Sequence, residues 1–547
     1  MASSDDESFF SNDEEHANQI SEIRRFRDPV HDYMPFSPLV CAIIDTKQFQ
    51  RLRHIKQLGT SYYVWPGASH NRFEHCLGVA YLAQTMVRHL QHSQRELNIS
   101  DKEVERVTIA GLVHDLGHGP WSHVWDSLFI PKALPDSTWK HEDASEMMFD
   151  DLIATNNLSH SIDDTARTLI KDLIRGRRDE NKAAKPFLFD IVANNRNGLD
   201  VDKFDYIARD TRAVDDRTFT SVSRLIHSAR VIDDQICYDI KDANQVYELC
   251  YTRFSLHKRI YNHKTAKAIE YMIVDTLLAA EQHMKIAERI RDPKRYVYLT
   301  ESILTEIQAS TAPELEKARK ICDRIASRDL YKSVDYKVFP WAHMSQCSDY
   351  FTPENIVQAA KNLKVPDDDR VEDKIVAELG PEHVIVDLAP MHYGMGDKNP
   401  LDSVKFYSKR NPKSCRAAEP GDISLLMPAV FGEVMLRVYT RESRFFGLVQ
   451  AGYRECLKQF NPEGMSQSTD GTKTPILDSG TAASSSSSVA SLSTRWQDNK
   501  FTTVGINFQP PSPGKGTKRG LGREGSGGSA KKRAVSHGTS TFKLSTL

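Results

Sequence analysis

From residue 72 to 91 the chain reads RFEHCLGVAYLAQTMVRHLQ, with apolar side chains returning every three or four positions. That spacing puts them on one face of an α-helix. DKEVERVTIAGLVHDLG (101–117) repeats the pattern behind Ser100, a hydroxyl able to cap a first helical turn. Helical spacing recurs at LDVDKFDYIARDTRAV (199–214), around 247–284 and at 311–326. HVIVDLAPMHYG (383–394), VKFYSK (404–409) and LRVYTRE (436–442) are instead rich in β-branched and aromatic residues and predict strands. The expectation is a mainly α fold with a smaller mixed α/β C-terminal lobe. Periodicity fails at both ends, where too few apolar residues remain to drive folding. The predicted organisation is a disordered acidic N-terminus (1–20), a helical core (21–329), a regulatory or oligomerisation lobe (330–461) and a disordered Ser, Gly and basic tail (462–547).

Composition narrows the class. The 547 residues are 39% hydrophobic and carry a formal charge of -2. That allows large cores and argues against whole-molecule attraction to nucleic acid. Eight cysteines lie scattered, without a CxxC pair, as expected of reduced, mostly buried thiols. The N-terminus MASSDDESFFSNDEEH is acidic where a secretory signal is basic, and no run approaches ~18 apolar residues. The reading is a soluble intracellular protein with no membrane partner.

Chemistry concentrates in LVHDLGHGPWSHVWD (112–126), where three histidines and two aspartates surround two glycines and a proline. A His-Asp dipeptide alone says little, because the chain has another at His31-Asp32, in a stretch lacking other ligand-type residues. His114-Asp115 differs in context, at the end of an apolar helix that Gly117, Gly119 and Pro120 are expected to terminate. His75 on the preceding helix and Asp202 in LDVDKFDYIARD are candidates to complete a metal site. Two imidazoles and two carboxylates suit Zn, Fe, Mn or Mg, and such an ion lowers the pKa of bound water. Arg72, together with Lys203, Tyr206, Arg209 and Asp210 at helical spacing around Asp202, reads as phosphate handling, with a solvated charged face as the plainer alternative. His118, His123, Asp126 and His141-Glu142 add proton donors and orienting carboxylates.

The order RFEHCLG, HDLGHGPWSH, DVDKFDYIARD resembles the HD-domain metal phosphohydrolases. The longer strings FQRLRHIKQLGTSYYVWPGASHNRFEH and NGLDVDKFDYIARD resemble one family among them, the SAM-and-HD-domain deoxynucleoside triphosphate triphosphohydrolases, over about Phe26 to Tyr407. The resemblance implies a helical HD fold and cleavage of a dNTP to deoxynucleoside and tripolyphosphate. It makes His75, His114, Asp115 and Asp202 the metal ligands. His141 becomes an active-site histidine paired with Asp126, and His123 the proton donor to the 5′ oxygen. His118, Arg72, Lys203 and Arg253 would contact phosphates, while Gln57, Leu58, Tyr206, Asp210 and Tyr261 would hold the sugar.

The same family is controlled by GTP and dNTP activators bound between the subunits of a tetramer. The resemblance places Arg24, Arg25, Asp45, Gln50 and Arg53 at the GTP site; an aspartate there can accept from guanine N–H groups. Arg27, Val64, Arg230, Lys241, Gln245, His263 and Lys264 fall at the dNTP site. Departures are Asp239 where the family has an arginine, and Gln245 and Arg27 where it has asparagines. With only some 25 residues ahead of the resemblance, the family's SAM domain is expected to be missing.

In the tail, Lys518-Arg519 and Lys531-Lys532-Arg533 are spaced like a bipartite nuclear import signal. Ser512-Pro513-Gly514-Lys515 resembles a cyclin-dependent kinase site, making Ser512 a candidate phosphosite, and Arg519-Gly520-Leu521 a cyclin docking tripeptide. Two further readings stand beside the leading one: an HD phosphohydrolase for another nucleotide ester, and a weakly catalytic binder of single-stranded nucleic acid.

Overall fold

The computed structural model describes residues 23–178, 185–214, 222–363 and 373–462. All of these lie in the first of two compact units, which ends at Gly471. Ser512 and the basic clusters of the tail fall outside the described residues. The architecture is mainly helical, as the periodicity predicts. Helices of ten or more residues are α1 (Arg72–Ser93), α2 (Asp101–Val113), α3 (His141–Thr155), α4 (Asp164–Arg175), α5 (Val201–Ala213), α6 (Ala243–Leu256), α7 (Lys264–Met284), α8 (Glu316–Ala326), α9 (Pro353–Asn362) and α10 (Phe446–Gln459).

Local chemistry sets where the central helices start. Glu74 Oε2 accepts from the Asn71 amide at 3.1 Å, opening α1. At α2, Ser100 Oγ accepts from the Glu103 amide at 3.3 Å while Glu103 Oε2 accepts from the Ser100 amide at 2.8 Å. Such a reciprocal cap is worth about 1 kcal/mol. α2 ends at Val113, ahead of the glycines expected to stop it. The turn that follows is held by buried Arg51, whose guanidinium donates to the His118 carbonyl at 2.8 Å and the Leu299 carbonyl at 2.9 Å. Gly117 instead permits packing, because a Cβ there would stand 2.1 Å from the Ser145 amide nitrogen of α3.

α1 packs against both α2 and α5, and their apolar faces share one core in which Val79, Ala80, Ala110 and Leu112 are sealed from solvent. The apolar run at 247–284 is two helices, not one. A single π turn (His257–Tyr261) widens the end of α6, and His263 Nδ1 caps α7 by accepting from the Thr265 amide at 3.3 Å.

The strands are β1 (Arg24–Asp28), β2 (Asp32–Phe36), β3 (Arg230–Ile232), β4 (Gln235–Asp239), β5 (Lys332–Pro340), β6 (Val384–His392), β7 (Lys405–Ser408), β8 (Asn411–Ala417) and β9 (Gly432–Thr440). β1 and β2 form an antiparallel hairpin; β5, β9 and β6 make a three-stranded sheet in that order, and β3, β4, β7 and β8 a four-stranded one. β6, β7 and β9 stand where runs rich in β-branched and aromatic residues predicted strands. The parallel β4–β7 pairing joins segments on either side of residue 330 into one sheet. A second buried cluster, from Val334 to Cys456, fills the lobe between its sheet and helices α9 and α10. Among the described residues every cysteine is free and no helix is long and apolar enough to cross a membrane.

Candidate active site

The α1, α2 and α5 packing brings three distant segments to one point. His75 of α1, His114 just past α2 and Asp202 in the first turn of α5 have ligand-type atoms all within 4.8 Å of one another. His75 Nε2 and His114 Nε2 lie 3.1 and 3.4 Å from Asp202 Oδ1. The Nδ1–H of each ring has its own acceptor: Asp205 Oδ2 at 2.8 Å for His75, and the Gly111 carbonyl at 2.9 Å for His114. In the neutral rings this arrangement leaves both Nε2 lone pairs to a metal, and Nε2 of His114 is buried with no hydrogen-bond partner. Asp115 stands beside this group, Oδ1 3.4 Å from His114 Nε2 and Oδ2 3.5 Å from His75 Nε2, and is ion-paired with Arg72.

Electrostatics favour a cation here. Burial opposes charge on His75, yet hydrogen bonds to Asp202 and Asp205 push its imidazole up to about 10. Burial works against the Asp202 carboxylate too, but His114 and His75 hold it well below the usual carboxylate range. The field that stabilises an imidazolium stabilises a divalent ion equally, so the donor set fits one of the N/O-binding metals.

A second group adjoins the first. His118 Nε2 is 3.2 Å from Asp115 Oδ1, and its ring stacks on His141 at 4.0 Å. His141 Nδ1 sits 2.6 Å from Asp126 Oδ2; His123 lies 3.7 Å from the other Asp126 oxygen with its side chain 71% exposed. Burial would lower the His141 pKa, but Asp126 raises it above the ordinary value, whereas burial and Arg72 push His118 down. One neighbour in the stack is thus biased toward the imidazolium and the other toward the neutral ring.

Comparison with known proteins accords with this geometry. A model of the HD domain matches residues 72–210, and one of the HD-associated region matches 221–398. The deoxynucleoside triphosphate triphosphohydrolase SAMHD1 of Bos taurus is 41% identical over 469 residues, covering 79% of this chain and 77% of that one. The Dictyostelium discoideum SAMHD1 homolog is 37% identical over 83% of this chain and 84% of its own. A putative HD domain-containing protein of Acanthamoeba polyphaga mimivirus is 29% identical over 77% and 93%. The chain belongs to the SAMHD1 family.

Other residues expected from the family resemblance gather around Asp210. Tyr261 Oη donates to Asp210 Oδ2 at 2.5 Å, and His70 Nε2 lies 2.8 Å from Oδ1. The Gln57 amide nitrogen donates to the His70 carbonyl, and Gln57 Oε1 is buried without a partner, next to Leu58. Tyr206 has Arg253, Lys203 and Asp202 as its electrostatic neighbours. Lys203 and Arg253 line one small cavity, with Arg253 donating to the His392 carbonyl at 2.8 Å and Lys203 paired with Asp200 at 3.1 Å.

Of the residues that the sequence resemblance leads one to expect at activator sites, Arg24 bridges to both Asp45 oxygens at 3.0 Å, and Arg53 donates to Gln50 at 2.7 Å while lying over Phe73. Arg25 is exposed and Arg27 stacks over Tyr33. His263 packs on Trp65, beside Val64 and Lys264. Arg230 faces Tyr407, while the Lys241 amide donates to buried Asp239, and Gln245 Oε1 is buried without a partner.

Two expectations need correction. Arg209 does not share the phosphate-facing side of α5; it is 3% exposed and bound to Asp205 and Asp28. His31 is no chance copy of the His-Asp pair, since its Nε2 lies 2.6 Å from Asp205 Oδ1. Sequence reasoning also missed Arg51 and His70. The close spacing of Asp28, His31 and Asp32 in DPVHD (28–32), at the hairpin turn, is the signal that could have marked His31.

Proposed function

We propose that the chain hydrolyses deoxynucleoside triphosphates to deoxynucleoside and tripolyphosphate. What supports this most directly is the convergence of His75, His114 and Asp202 beside the stacked His118–His141 pair, in a chain whose SAMHD1 relatives carry that activity in their names. His75, His114, Asp115 and Asp202 would hold a divalent metal, which when bound supplies Lewis acidity for the attacking water.

The chain's own groups do the rest. Water adds to the α-phosphorus, the bond from phosphorus to the 5′ oxygen breaks, and a proton passes to that oxygen. His123, exposed to solvent, delivers it, while His141, whose proton Asp126 favours, offsets phosphoryl charge beside His118, which burial and Arg72 bias toward the neutral ring. Arg72, Lys203 and Arg253 supply cationic clamps, with Arg72 and Lys203 exchanging Asp115 and Asp200 for phosphate oxygens as substrate enters. Gln57, Leu58, Tyr206, Asp210 and Tyr261 form the sugar pocket. The Tyr261–Asp210 pair, anchored by His70, closes the side where a ribose would need room.

Regulation is the finer part of the proposal. Arg24, Arg25, Asp45, Gln50 and Arg53 form the GTP site; Arg27, Val64, Arg230, Lys241, Gln245, His263 and Lys264 form the dNTP site, and their occupation drives tetramer assembly. Asp239, an anion at an activator phosphate, weakens dNTP activation unless Arg27 offsets it. Nuclear import through Lys518 to Arg533 and phosphorylation at Ser512 complete the reading, in which the enzyme lowers cellular dNTP pools.

Product analysis by anion exchange tests it. The purified protein is given dGTP, or dATP with GTP, with Mg or Mn, beside a His114→Ala/Asp115→Ala control. Tripolyphosphate and deoxynucleoside, absent in the control, are expected. Pyrophosphate, orthophosphate or no product under every activator would overturn the proposal and favour another ester or nucleic-acid binding.

A further inference from the structure

Behind His75 lies a buried charge network that reaches the β1–β2 hairpin. Asp205, fully buried, accepts from His75 Nδ1 at 2.8 Å on Oδ2 and faces His31 Nε2 at 2.6 Å on Oδ1. Arg209 grips the same carboxylate as a fork, Nε to Oδ2 and Nη2 to Oδ1, both at 2.9 Å. Its Nη1 donates at 2.8 Å to Asp28, whose Oδ2 in turn accepts the Val30 and His31 amides at 2.8 and 2.9 Å. Asp28 thus shapes the turn that presents the His31 ring.

This close approach is built into α1. A Cβ on Gly78, three residues beyond His75, would stand 1.8 Å from Asp205 Oδ1 and 2.6 Å from Arg209 Nη2. The missing side chain makes the room in which the carboxylate meets His75.

We propose that His31, Asp205 and the Arg209–Asp28 pair are positioning residues that fix the tautomer and aim of His75. An imidazole can ligate through Nε2 only if its proton sits on Nδ1, and a fixed carboxylate at Nδ1 enforces that state. With two carboxylates against one guanidinium, the network keeps a negative charge facing the His75 N–H. His31, donating from Nε2, stops Asp205 from rotating away, since the second oxygen is then pinned as firmly as the first. The hairpin turn thereby orients a residue more than 40 positions away in the chain.

The inference rests on His75 being a metal ligand, as proposed above, and the test separates the two. Mn(II) affinity of the full chain is measured by competition with a chromophoric chelator, and the bound ion is observed by EPR. Asp205→Asn keeps the shape but offers His75 Nδ1 a neutral amide; His31→Leu removes the second donor, and His31→Gln restores an N–H near the same point. Mn(II) binding weaker by roughly 10- to 100-fold is expected for Asp205→Asn and His31→Leu, with recovery in His31→Gln. Circular dichroism and a cooperative unfolding transition establish that each variant is folded; if His31→Leu does not fold, the shape-conserving Asp205→Asn carries the test. Wild-type affinity and an unchanged EPR spectrum in folded Asp205→Asn would overturn the inference while leaving the ligand assignment intact. Unchanged affinity in His75→Ala would overturn the assignment and this inference with it.

Discussion

Replacing Gly117 by alanine separates packing from chemistry at this site. The added Cβ would lie 2.1 Å from the Ser145 amide nitrogen, 2.2 Å from the His141 carbonyl oxygen and 2.5 Å from the Ala144 carbonyl carbon. These are backbone atoms in the first turns of α3, so no side chain can swing aside. To regain ordinary contact, α3 or the turn must retreat by about 1.3 Å. That movement breaks a bridge in which Ser145 Oγ accepts from the Gly117 amide at 2.9 Å and donates to the His114 carbonyl at 2.8 Å. Overpacking of this kind costs about 1–3 kcal/mol, and a lost buried hydrogen bond adds about 1 kcal/mol. The retreat also draws His141 from its 4.0 Å stack on His118; a displacement of about 1 Å at a reacting group lowers kcat on the order of 100-fold. Urea unfolding and steady-state dNTP hydrolysis measure both effects. A variant within about 0.5 kcal/mol of wild type and with unchanged kcat would refute the argument that the turn and α3 meet backbone to backbone.

Ser145→Ala removes the bridge without the clash, so urea unfolding should show a loss of about 1–2 kcal/mol with kcat largely retained. Asp126→Asn should move the alkaline loss of activity to lower pH: Asp126 raises the His141 pKa, so the imidazolium persists below that value and is lost as pH climbs through it; a pH–rate profile checks this, and an unmoved limb would exclude His141 as the cation. Burial pushes Glu301 up to about 7 from 4.5 in an open chain. The unfolded state therefore binds fewer protons between those values, stability falls as pH rises through that window by about 3 kcal/mol, and Glu301→Gln should flatten the slope seen in unfolding at pH 4.5 to 7. Tyr261→Phe, which deletes the hydroxyl donated to Asp210, should narrow the preference for dNTP over NTP, read as the ratio of kcat/KM values.

Much of the candidate site was legible in the chain because the residues that could hold a metal sit on strongly patterned helices. The 3.6-residue period of α1 and α2 and the reciprocal cap at Ser100 follow from local side-chain chemistry, which needs no knowledge of distant neighbours. Once those helices are drawn, His75 and the His114-Asp115 pair fall at their ends, and the carboxylate-rich run of α5 supplies a partner. The short strands β1 to β4 escaped notice because edge and hairpin strands of three to five residues carry too few positions for alternation to emerge.

Residue identity and spacing within single segments carried α1, α2, α5 to α8, the strands β6, β7 and β9, the donor types at the site and the family likeness, but not β5 or helices α3, α4, α9 and α10. Which groups face one another was set by packing between distant segments. Lys203, Asp205, Tyr206, Arg209 and Asp210 occupy nearly two turns of one helix, and spacing cannot tell which look into a pocket and which into a core. Packing against α1 at Gly78 sends Asp205 and Arg209 inward to His75 and the hairpin, and leaves Tyr206 and Asp210 facing Arg253 and Tyr261. His31 acquires its role in the same way, through a contact across 174 residues that no local pattern encodes. A charge buried in the core must find its counter-charge wherever the fold brings one, so the partners of buried ionisable groups are a property of the packed molecule and not of the segment that carries them.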